Sequence, residues 1–162
     1  MLSDCRYGES SQEDYPKELM ANLSYKTAIK RKTLSAPLKW LLSKNMISDT
    51  HLDYGCGRGD DADAMGFAKY DPWYFPILPE DKYDTITCLY VLNVIKTKKE
   101  RNEVLKKIKS YLNPGGVAYI AVRRDIKKEG KTSIGTHQYN IELNLPLLRQ
   151  ASGFAIYEVH KR

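Results

Sequence analysis

The residues best suited to chemistry lie together in the stretch LDYGCGRG, residues 52–59. Its glycines, Gly55, Gly57 and Gly59, allow a sharp turn and let a ligand come close to the backbone. The usual dinucleotide fingerprint is GxGxxG, but here the third glycine comes one residue earlier and Asp53 precedes the first. A carboxylate at this position would repel a pyrophosphate and attract a cation. The stretch therefore favours a positively charged ligand, and the alternative is a glycine-rich turn without a ligand.

The surrounding residues predict the elements that must position this loop. Strand patterns alternate with helical ones, which is typical of an α/β fold with a mostly parallel sheet. Thr97 and Glu100 form a capping box that opens a helix, and the Asn-Pro-Gly-Gly run at 113–116 stops it. The predicted strands are 50–55, 68–72, 83–88, 117–122 and 154–159, and the predicted helices are 35–47, a short one within 56–68, one from 97, and 143–153.

Taken in order, these motifs resemble the class I methyltransferases that depend on S-adenosylmethionine (SAM), over residues 50–123. LDYGCGRG is similar to their first motif, and Asp71 matches the acid that holds the ribose hydroxyls. The ammonium and sulfonium of SAM are cations that an acid such as Asp53 can favour. The resemblance implies an α/β fold with a minimal Rossmann-like class I sheet, flanking helices and an antiparallel or hairpin-like final strand. The cofactor-binding residues that it implies are Asp53, Gly55, Cys56, Gly57, Asp71, Pro72 and Leu89.

A narrower resemblance favours DNA as the substrate. The combination of KTAIKRKTLSAPLKWLL, LDYGCGRGDD, YDP and YVLNVI is similar to methyltransferase-like proteins found with bacterial DNA phosphorothioation systems, and to small phage-borne relatives. This resemblance implies a role in DNA modification.

The region of the family's third strand is abbreviated in this sequence. The insert PWYFPILPEDKY places 12 residues between Asp71 and Asp84, which is too few for a helix and a strand. The wall of the adenine pocket must then come from elsewhere, and Trp73, Tyr74 and Ile77 are candidates. The alternative is that these side chains cover the edge of the sheet.

The candidate catalytic residues are Tyr90 and Asn93, because acceptor residues in this family follow the fourth strand. Asn93 could hydrogen-bond an acceptor and Tyr90 could stack on a base, although a core aromatic and a helix cap are the alternatives. No cysteine follows a proline, no acid occurs at this place, and no Asn/Asp-Pro-Pro-Tyr follows the strand. Three standard acceptor classes, cytosine C5, ribose 2′-O and base amino groups, are therefore not indicated. The Asp-Pro-Trp-Tyr run at 71–74 comes after the second strand, so it is not a base-methylating loop.

The basic residues favour an anionic partner. The net charge is +6, and basic side chains cluster before the first helix and after the strand 117–122. Such residues bind nucleic-acid phosphates without reading sequence. The alternative is that they lie in solvated loops, and His137 is a further candidate for a base or substrate contact. The residues predicted to contact nucleic acid are Lys26, Lys30, Arg31, Arg123 and Arg124.

The bulk properties limit the class of protein. A length of 162 residues predicts one domain, and the polar N-terminal stretch of mixed charge predicts an arm or cap over 1–22. The resemblance then implies a methyltransferase-like domain over 23–162. No apolar run is long enough for a membrane helix or a signal peptide, and three cysteines without metal spacing indicate a cytoplasmic protein without a metal site. We expect a SAM-dependent methyltransferase that acts on nucleic acid, with a protein partner or a homo-oligomer allowed. The alternatives are a non-catalytic, basic nucleic-acid-binding subunit and a small-molecule methyltransferase.

Overall fold

A computed structural model describes residues 24–131 and 136–162 of the chain. The predicted arm, including Cys5, lies outside these residues. The helices are α1 (Ala36–Ser43), α2 (Asp60–Met65) and α3 (Lys98–Ser110), with 3-10 turns at Ser24–Thr27 and Leu92–Val94. The strands are β1 (His51–Tyr54), β2 (Ala68–Tyr70), β3 (Tyr83–Leu89), β4 (Leu112–Arg123), β5 (Gly130–Lys131), β6 (His137–Gln138), β7 (Leu147–Gln150) and β8 (Phe154–His160).

Six of the strands form one mixed sheet in the order β2-β1-β3-β4-β8-β7. The first four are parallel, whereas β8 is antiparallel to β4 and β7 is antiparallel to β8. The carboxyl ends of β1, β2, β3 and β4 therefore meet at one edge, where ligands bind in such sheets. The prediction of a mostly parallel α/β sheet with an antiparallel final strand is confirmed.

The sheet ends at β2, where the family's third strand would follow. The chain leaves β2 through an isolated bridge between Asp71 and Phe75, and residues 76–82 form no strand. Ile77 and Leu78 are 79% and 45% exposed, so they do not cover this edge as a packed layer would. The predicted abbreviation around strand three is confirmed.

Two hydrophobic clusters hold the layers on the sheet. In the larger one, Leu52, Ile86 and Ile120 of the strands pack with Ile108 of α3. The smaller one joins Leu41 of α1 to other sheet residues, with Tyr119, Ala121 and Ile156 at its centre. Because α3 and α1 pack against different clusters, the sheet is covered by more than one helix layer.

The predicted helix over 143–153 is wrong. Residues 147–150 form β7, which pairs with β8, and Glu158 N–H donates to the Pro146 carbonyl at 3.0 Å. The free edge of β8 offers unpaired backbone groups, and pairing with them outweighs a helical pattern of apolar residues. α3 ends at Ser110 instead of reaching 113, and the Asn-Pro-Gly-Gly run lies inside β4.

The capping box of α3 is confirmed. The Thr97 hydroxyl accepts from the Glu100 N–H at 3.2 Å, and the Glu100 carboxylate accepts from the Thr97 N–H at 3.1 Å. We expect Thr97→Ala to lower the free energy of unfolding by about 1 kcal/mol, because one of the first N–H groups of α3 loses its partner. Urea denaturation measures this. Thr97→Ser, which keeps the hydroxyl, should cost less than half as much.

Candidate functional site

A cleft of about 230 Å³ opens at the carboxyl edge of β1, β2 and β3. The glycine loop, the turn after β2, the turn after β3, the segment before α1 and one face of α3 all contribute to it. The cofactor residues predicted from the sequence, Asp53, Gly55, Cys56, Gly57, Asp71, Pro72 and Leu89, all line this cleft.

The glycine loop needs its glycines for two separate reasons. Gly55, Gly57 and Gly59 have φ values of +77°, +57° and +79°, which side chains disfavour. A Cβ on Gly55 would also lie 2.4 Å from a methyl group of Val91, which follows β3. The N–H groups of Gly55 and Cys56 donate to the Tyr70 carbonyl at 2.7 and 3.0 Å. The loop is therefore hydrogen-bonded to β2 and lies in close contact with the turn after β3.

Asp53 lies on the floor of the cleft with 4% of its surface exposed. Its Oδ1 accepts from the Thr87 hydroxyl at 3.2 Å. Burial, followed by the nearby charge of Asp61, raises the pKa of Asp53 to about 7. The sequence predicted an acid for a cation, and among residues 24–131 and 136–162 Arg31 is the cation whose charge lowers the pKa of Asp53, with the smallest effect of the groups involved.

Asp71 organises the turn after β2. Its Oδ2 accepts from the Gly57 N–H at 2.9 Å, and its Oδ1 accepts from the N–H groups of Trp73 and Tyr74 at 2.9 and 3.0 Å. A carboxylate has about four acceptor positions, so one remains after these three bonds. Asp71 therefore links the glycine loop to the turn after β2 through hydrogen bonds. Its contact with the ribose of a cofactor stays a prediction.

Of the three candidates for an adenine wall, Trp73 lines the cleft. Tyr74 and Ile77 are not among its lining residues. The ring of Tyr74 lies instead under the guanidinium of Arg58, 5.5 Å from its centroid. The other wall at this end comes from α3, whose Glu100, Glu103, Val104 and Lys107 line the cleft. Sequence reasoning missed this contribution, because the position of α3 beside the cleft depends on packing between residues distant in the chain.

Tyr90 lines the cleft directly after β3. Its φ of +63° is uncommon for an aromatic residue, and such strain clusters at functional sites. Its N–H donates to the Ala121 carbonyl at 2.8 Å, which holds the turn in place. The ring is half-buried, and the guanidinium carbon of Arg31 lies 5.8 Å from its centroid. Tyr90 is therefore placed where an acceptor could reach it.

Asn93 is not in the cleft. Its side chain is 1% exposed, and its backbone carbonyl accepts from the Tyr139 N–H at 2.8 Å. The 3-10 turn directs Val91 and Val94 to the cleft and Asn93 into the interior. The structure therefore contradicts the predicted acceptor contact, and since Thr97 caps α3, Asn93 is not its cap either. Its Oδ1 has no hydrogen-bond partner within residues 24–131 and 136–162.

The segment over residues 27–35 forms a wall that sequence reasoning missed. The Arg31 N–H donates to Asp60 at 2.6 Å, and the Ser35 N–H donates to Asp61 at 2.9 Å. Ala28 packs on the glycine loop, since a Cβ on Gly57 would lie 3.0 Å from the Ala28 methyl. The signal in the sequence was the pair of acids directly after the third glycine, but its partners lie more than 25 positions away.

The two basic segments approach the cleft from different elements. Arg31 lines it, and the charges of Arg31 and Arg123 both lower the pKa of the Tyr90 hydroxyl against the larger effect of its burial. Lys30 pairs with Asp60 at 3.4 Å and stays largely exposed, as do Lys26 and Arg124. Arg123 is held by Asp125 and Gln138, both at 2.8 Å. Of the predicted nucleic-acid residues, Arg31 lines the cleft, and the charges of Arg31 and Arg123 act on Tyr90.

Other predicted features are simpler to place. Cys56 lines the cleft and Cys88 is buried, and burial raises the pKa of both thiols. His137 in β6 is half-buried near Tyr139 and is not a lining residue of the cleft. Within the described ranges, no cluster of His, Cys, Asp or Glu could hold a metal ion. In the same part of the chain, no helix has the length and hydropathy that crossing a bilayer requires.

Comparison with known proteins identifies the family. A profile described as methyltransferase domain matches residues 13–153. The chain belongs to this methyltransferase domain family. The family match confirms the predicted methyltransferase family, and the sheet confirms the predicted class I Rossmann-like fold. Among curated protein sequences, no match is found.

Several solved structures are similar to this chain at low sequence identity. DhpI in complex with S-adenosylhomocysteine (SAH) is similar over 88% of each chain, with 10% identity and a TM-score of 0.52. The N-methyltransferase NodS from Bradyrhizobium japonicum WM9, bound to SAH, is similar over 92% of this chain and 89% of that one, with 11% identity and a TM-score of 0.49. A structure concerned with thioacetal formation in echinomycin biosynthesis has 19% identity over 66% of this chain, a TM-score of 0.44, and a match to 59% of its own length. This chain thus spans less than two thirds of that protein.

Proposed function

We propose that this methyltransferase transfers the methyl group of SAM to a base in nucleic acid, with DNA favoured. The observation that carries the proposal is the position of Tyr90. This strained aromatic residue lies in the cleft, and basic side chains approach it from the segment before α1 and from the end of β4. An aromatic ring flanked by cations suits a stacked base with its phosphates.

The residues of the cleft fit SAM. Asp53 is a buried carboxylate that no strong cation of the described residues matches, so the ammonium of SAM would supply a partner. The glycine loop would bring backbone close to the amino-acid part, and Asp71 with Trp73 would hold the adenosine part. When bound, SAM supplies a methyl group already activated on a sulfonium.

The remaining work of the protein is to align the acceptor and exclude water. Val91, Val94 and Ile95 after β3 and Ile29 before α1 give the cleft apolar walls next to Tyr90. A nitrogen acceptor needs no strong base for this reaction, which agrees with a cleft whose acceptor end carries Tyr90 instead of a paired base and acid. The basic residues would contribute affinity for phosphates without sequence reading.

Incubation with methyl-labelled SAM tests the substrate. We expect label in DNA when the protein is offered DNA, RNA and a low-molecular-weight cell fraction side by side. Label confined to the low-molecular-weight fraction would instead establish a small-molecule methyltransferase. Absence of label in every fraction, with SAH still bound, would favour a non-catalytic binding subunit.

Salt dependence tests the phosphate contacts separately. Replacing the exposed Lys26 and Arg124 together by alanine should weaken DNA binding and reduce the slope of log K against log salt by roughly two. Fluorescence anisotropy between 50 and 200 mM salt measures this. Lys106→Ala, on the exposed part of α3 outside the cleft, is the matched control and should leave the slope unchanged. Equal slopes for all proteins would contradict the placement of the phosphates.

A further inference from the structure

Three buried side chains form a hydrogen-bonded chain that ends at the floor of the cleft. His51 Nε2 lies 2.8 Å from the Thr87 hydroxyl oxygen, and that hydroxyl donates to Asp53 Oδ1 at 3.2 Å. His51, Thr87 and Asp53 are 3%, 1% and 4% exposed. The His51 ring is stacked on Phe67 with 3.9 Å between centroids. Neither His51 nor Thr87 lines the cleft, so the two reach it through Asp53.

The single hydrogen of the Thr87 hydroxyl fixes the direction of this chain. If it points to Asp53, the oxygen must accept from His51, which places the imidazole hydrogen on Nε2. His51 Nδ1 is then a bare acceptor, and it has no hydrogen-bond partner within the described residues. In this arrangement the hydrogens on His51 Nε2 and on the Thr87 hydroxyl both have an acceptor.

The reverse direction is less favourable. With a proton on its Oδ1, Asp53 would donate to Thr87, and Thr87 would donate to His51 Nε2, so the imidazole hydrogen would move to Nδ1. A buried N–H would then lie where the described residues offer no acceptor. The chain would also end on neutral groups and lose its charge-assisted bond to a carboxylate. Both effects disfavour a proton on Oδ1, and the bond donated by Thr87 is stronger to a carboxylate than to a neutral carboxyl group, which favours the ionised form of Asp53.

The other groups around Asp53 act on the same equilibrium. Burial raises its pKa most, the charges of Asp61 on α2 and of Asp71 after β2 raise it further, and Arg31 lowers it only weakly. The nearby thiols of Cys56 and Cys88 stay neutral because burial raises their pKa. The hydrogen bond from Thr87 thus lowers the pKa of Asp53 more than the charge of Arg31 does.

We propose that His51 and Thr87 are positioning residues that keep Asp53 ionised, so that the cleft accepts a cationic ligand at neutral pH. The inference rests on the proposed cofactor site and adds two residues that do not touch the ligand. It implies that affinity for the ammonium of SAM or SAH rises with pH as Asp53 loses its proton, until the ligand ammonium itself loses its proton at higher pH.

Removing the Thr87 hydroxyl should move this pH profile upward. Thr87→Val has nearly the same shape and cannot donate to Asp53, so the pKa of Asp53 rises by about one unit. SAH binding by calorimetry between pH 5.5 and 9 should then show a midpoint about one pH unit higher than in the unchanged protein. Affinity should be roughly tenfold lower at pH 6.5 and nearly equal at pH 9.

Two further variants should not raise the midpoint. Thr87→Ser keeps the hydroxyl and should restore the original midpoint. Asp61→Asn keeps an acceptor for the Ser35 N–H but removes a charge that raises the pKa of Asp53, so its midpoint should move to lower pH. A uniform loss of affinity in Thr87→Val at every pH would overturn the proposal, because that is what a purely structural role predicts.

A ligand-free measurement keeps the proposal falsifiable if Thr87→Val does not fold. Nitrogen-15 NMR of the unchanged protein should show a neutral His51, because burial lowers its pKa to about 3. The ring hydrogen should lie on Nε2, because the Thr87 hydroxyl oxygen lies next to that nitrogen and accepts from it. A hydrogen on Nδ1 at pH 8 would overturn the proposal. SAH binding with a flat pH profile would overturn this inference alone, whereas no SAH binding at any pH would overturn the proposed cofactor site as well.

Discussion

Asparagine in place of Asp53 should weaken SAH binding about 100-fold at pH 8, where the acid is ionised. The physical reason is that the amide keeps the shape of the side chain but offers the ligand ammonium no charge. Calorimetry with SAH measures the loss, and the rate of methyl transfer at subsaturating SAM should fall in parallel. The pH profile of the residual binding should be flat between pH 6 and 8, because the titrating group is gone.

The stability of Asp53→Asn should not fall together with its affinity for SAH. Burial disfavours the charged form of Asp53, so replacing it by a neutral amide should leave the free energy of unfolding unchanged or raise it at pH 8. Asp49→Asn, an exposed acid just before β1, is the control and should change neither property. If Asp53→Asn bound SAH within threefold of the unchanged protein, Asp53 would not be the ammonium partner.

Alanine in place of Gly55 should lower the free energy of unfolding by about 2–4 kcal/mol. The added methyl group meets Val91 at 2.4 Å, and the φ of +77° adds the cost of a left-handed backbone. Because the loop must shift to relieve this contact, SAH binding should be lost as well. Urea denaturation and calorimetry measure the two effects.

Gly66→Ala separates the two causes. Gly66 has a similar φ of +69°, but an added Cβ there has no heavy atom within 4 Å. Its cost should be only the backbone part, about 1–2 kcal/mol. Combining Gly55→Ala with Val91→Ala should recover the difference, since the opposing methyl groups are removed and the effects are not additive. Equal costs at Gly55 and Gly66 would contradict the close approach between the glycine loop and the turn after β3.

Features that depend on near neighbours in the chain were predictable. The glycine loop, the strands around it and the capping box at Thr97 are all encoded within a few residues. Their backbone conformations follow from glycine, from alternation and from side-chain capping, which act locally. Asp53 was found for the same reason, because its spacing from Gly55 fixes its position at the end of β1.

Features that depend on residues distant in the chain were not predictable from the sequence. Leu147–Gln150 has a helical pattern but forms β7, because the edge of β8 offers hydrogen bonds that no local pattern reveals. Asn93 follows β3 as an acceptor residue would, but the 3-10 turn rotates its side chain into the interior. No role for Asp60 and Asp61 follows from their neighbours in the sequence, although they accept from the backbone N–H groups of Arg31 and Ser35 in the wall formed before α1.

The sequence by itself thus determined the fold class, the glycine loop and the acid on the floor of the cleft, because each rests on spacing along the chain. The tertiary structure decided which residues surround that acid and what charge it carries. Thr87 lies 34 positions from Asp53 and His51 lies 36 from Thr87, and β1 and β3 bring them together as neighbouring strands. The charge of a buried acid depends on its burial and on its hydrogen-bond partners, and both exist only once the sheet has formed.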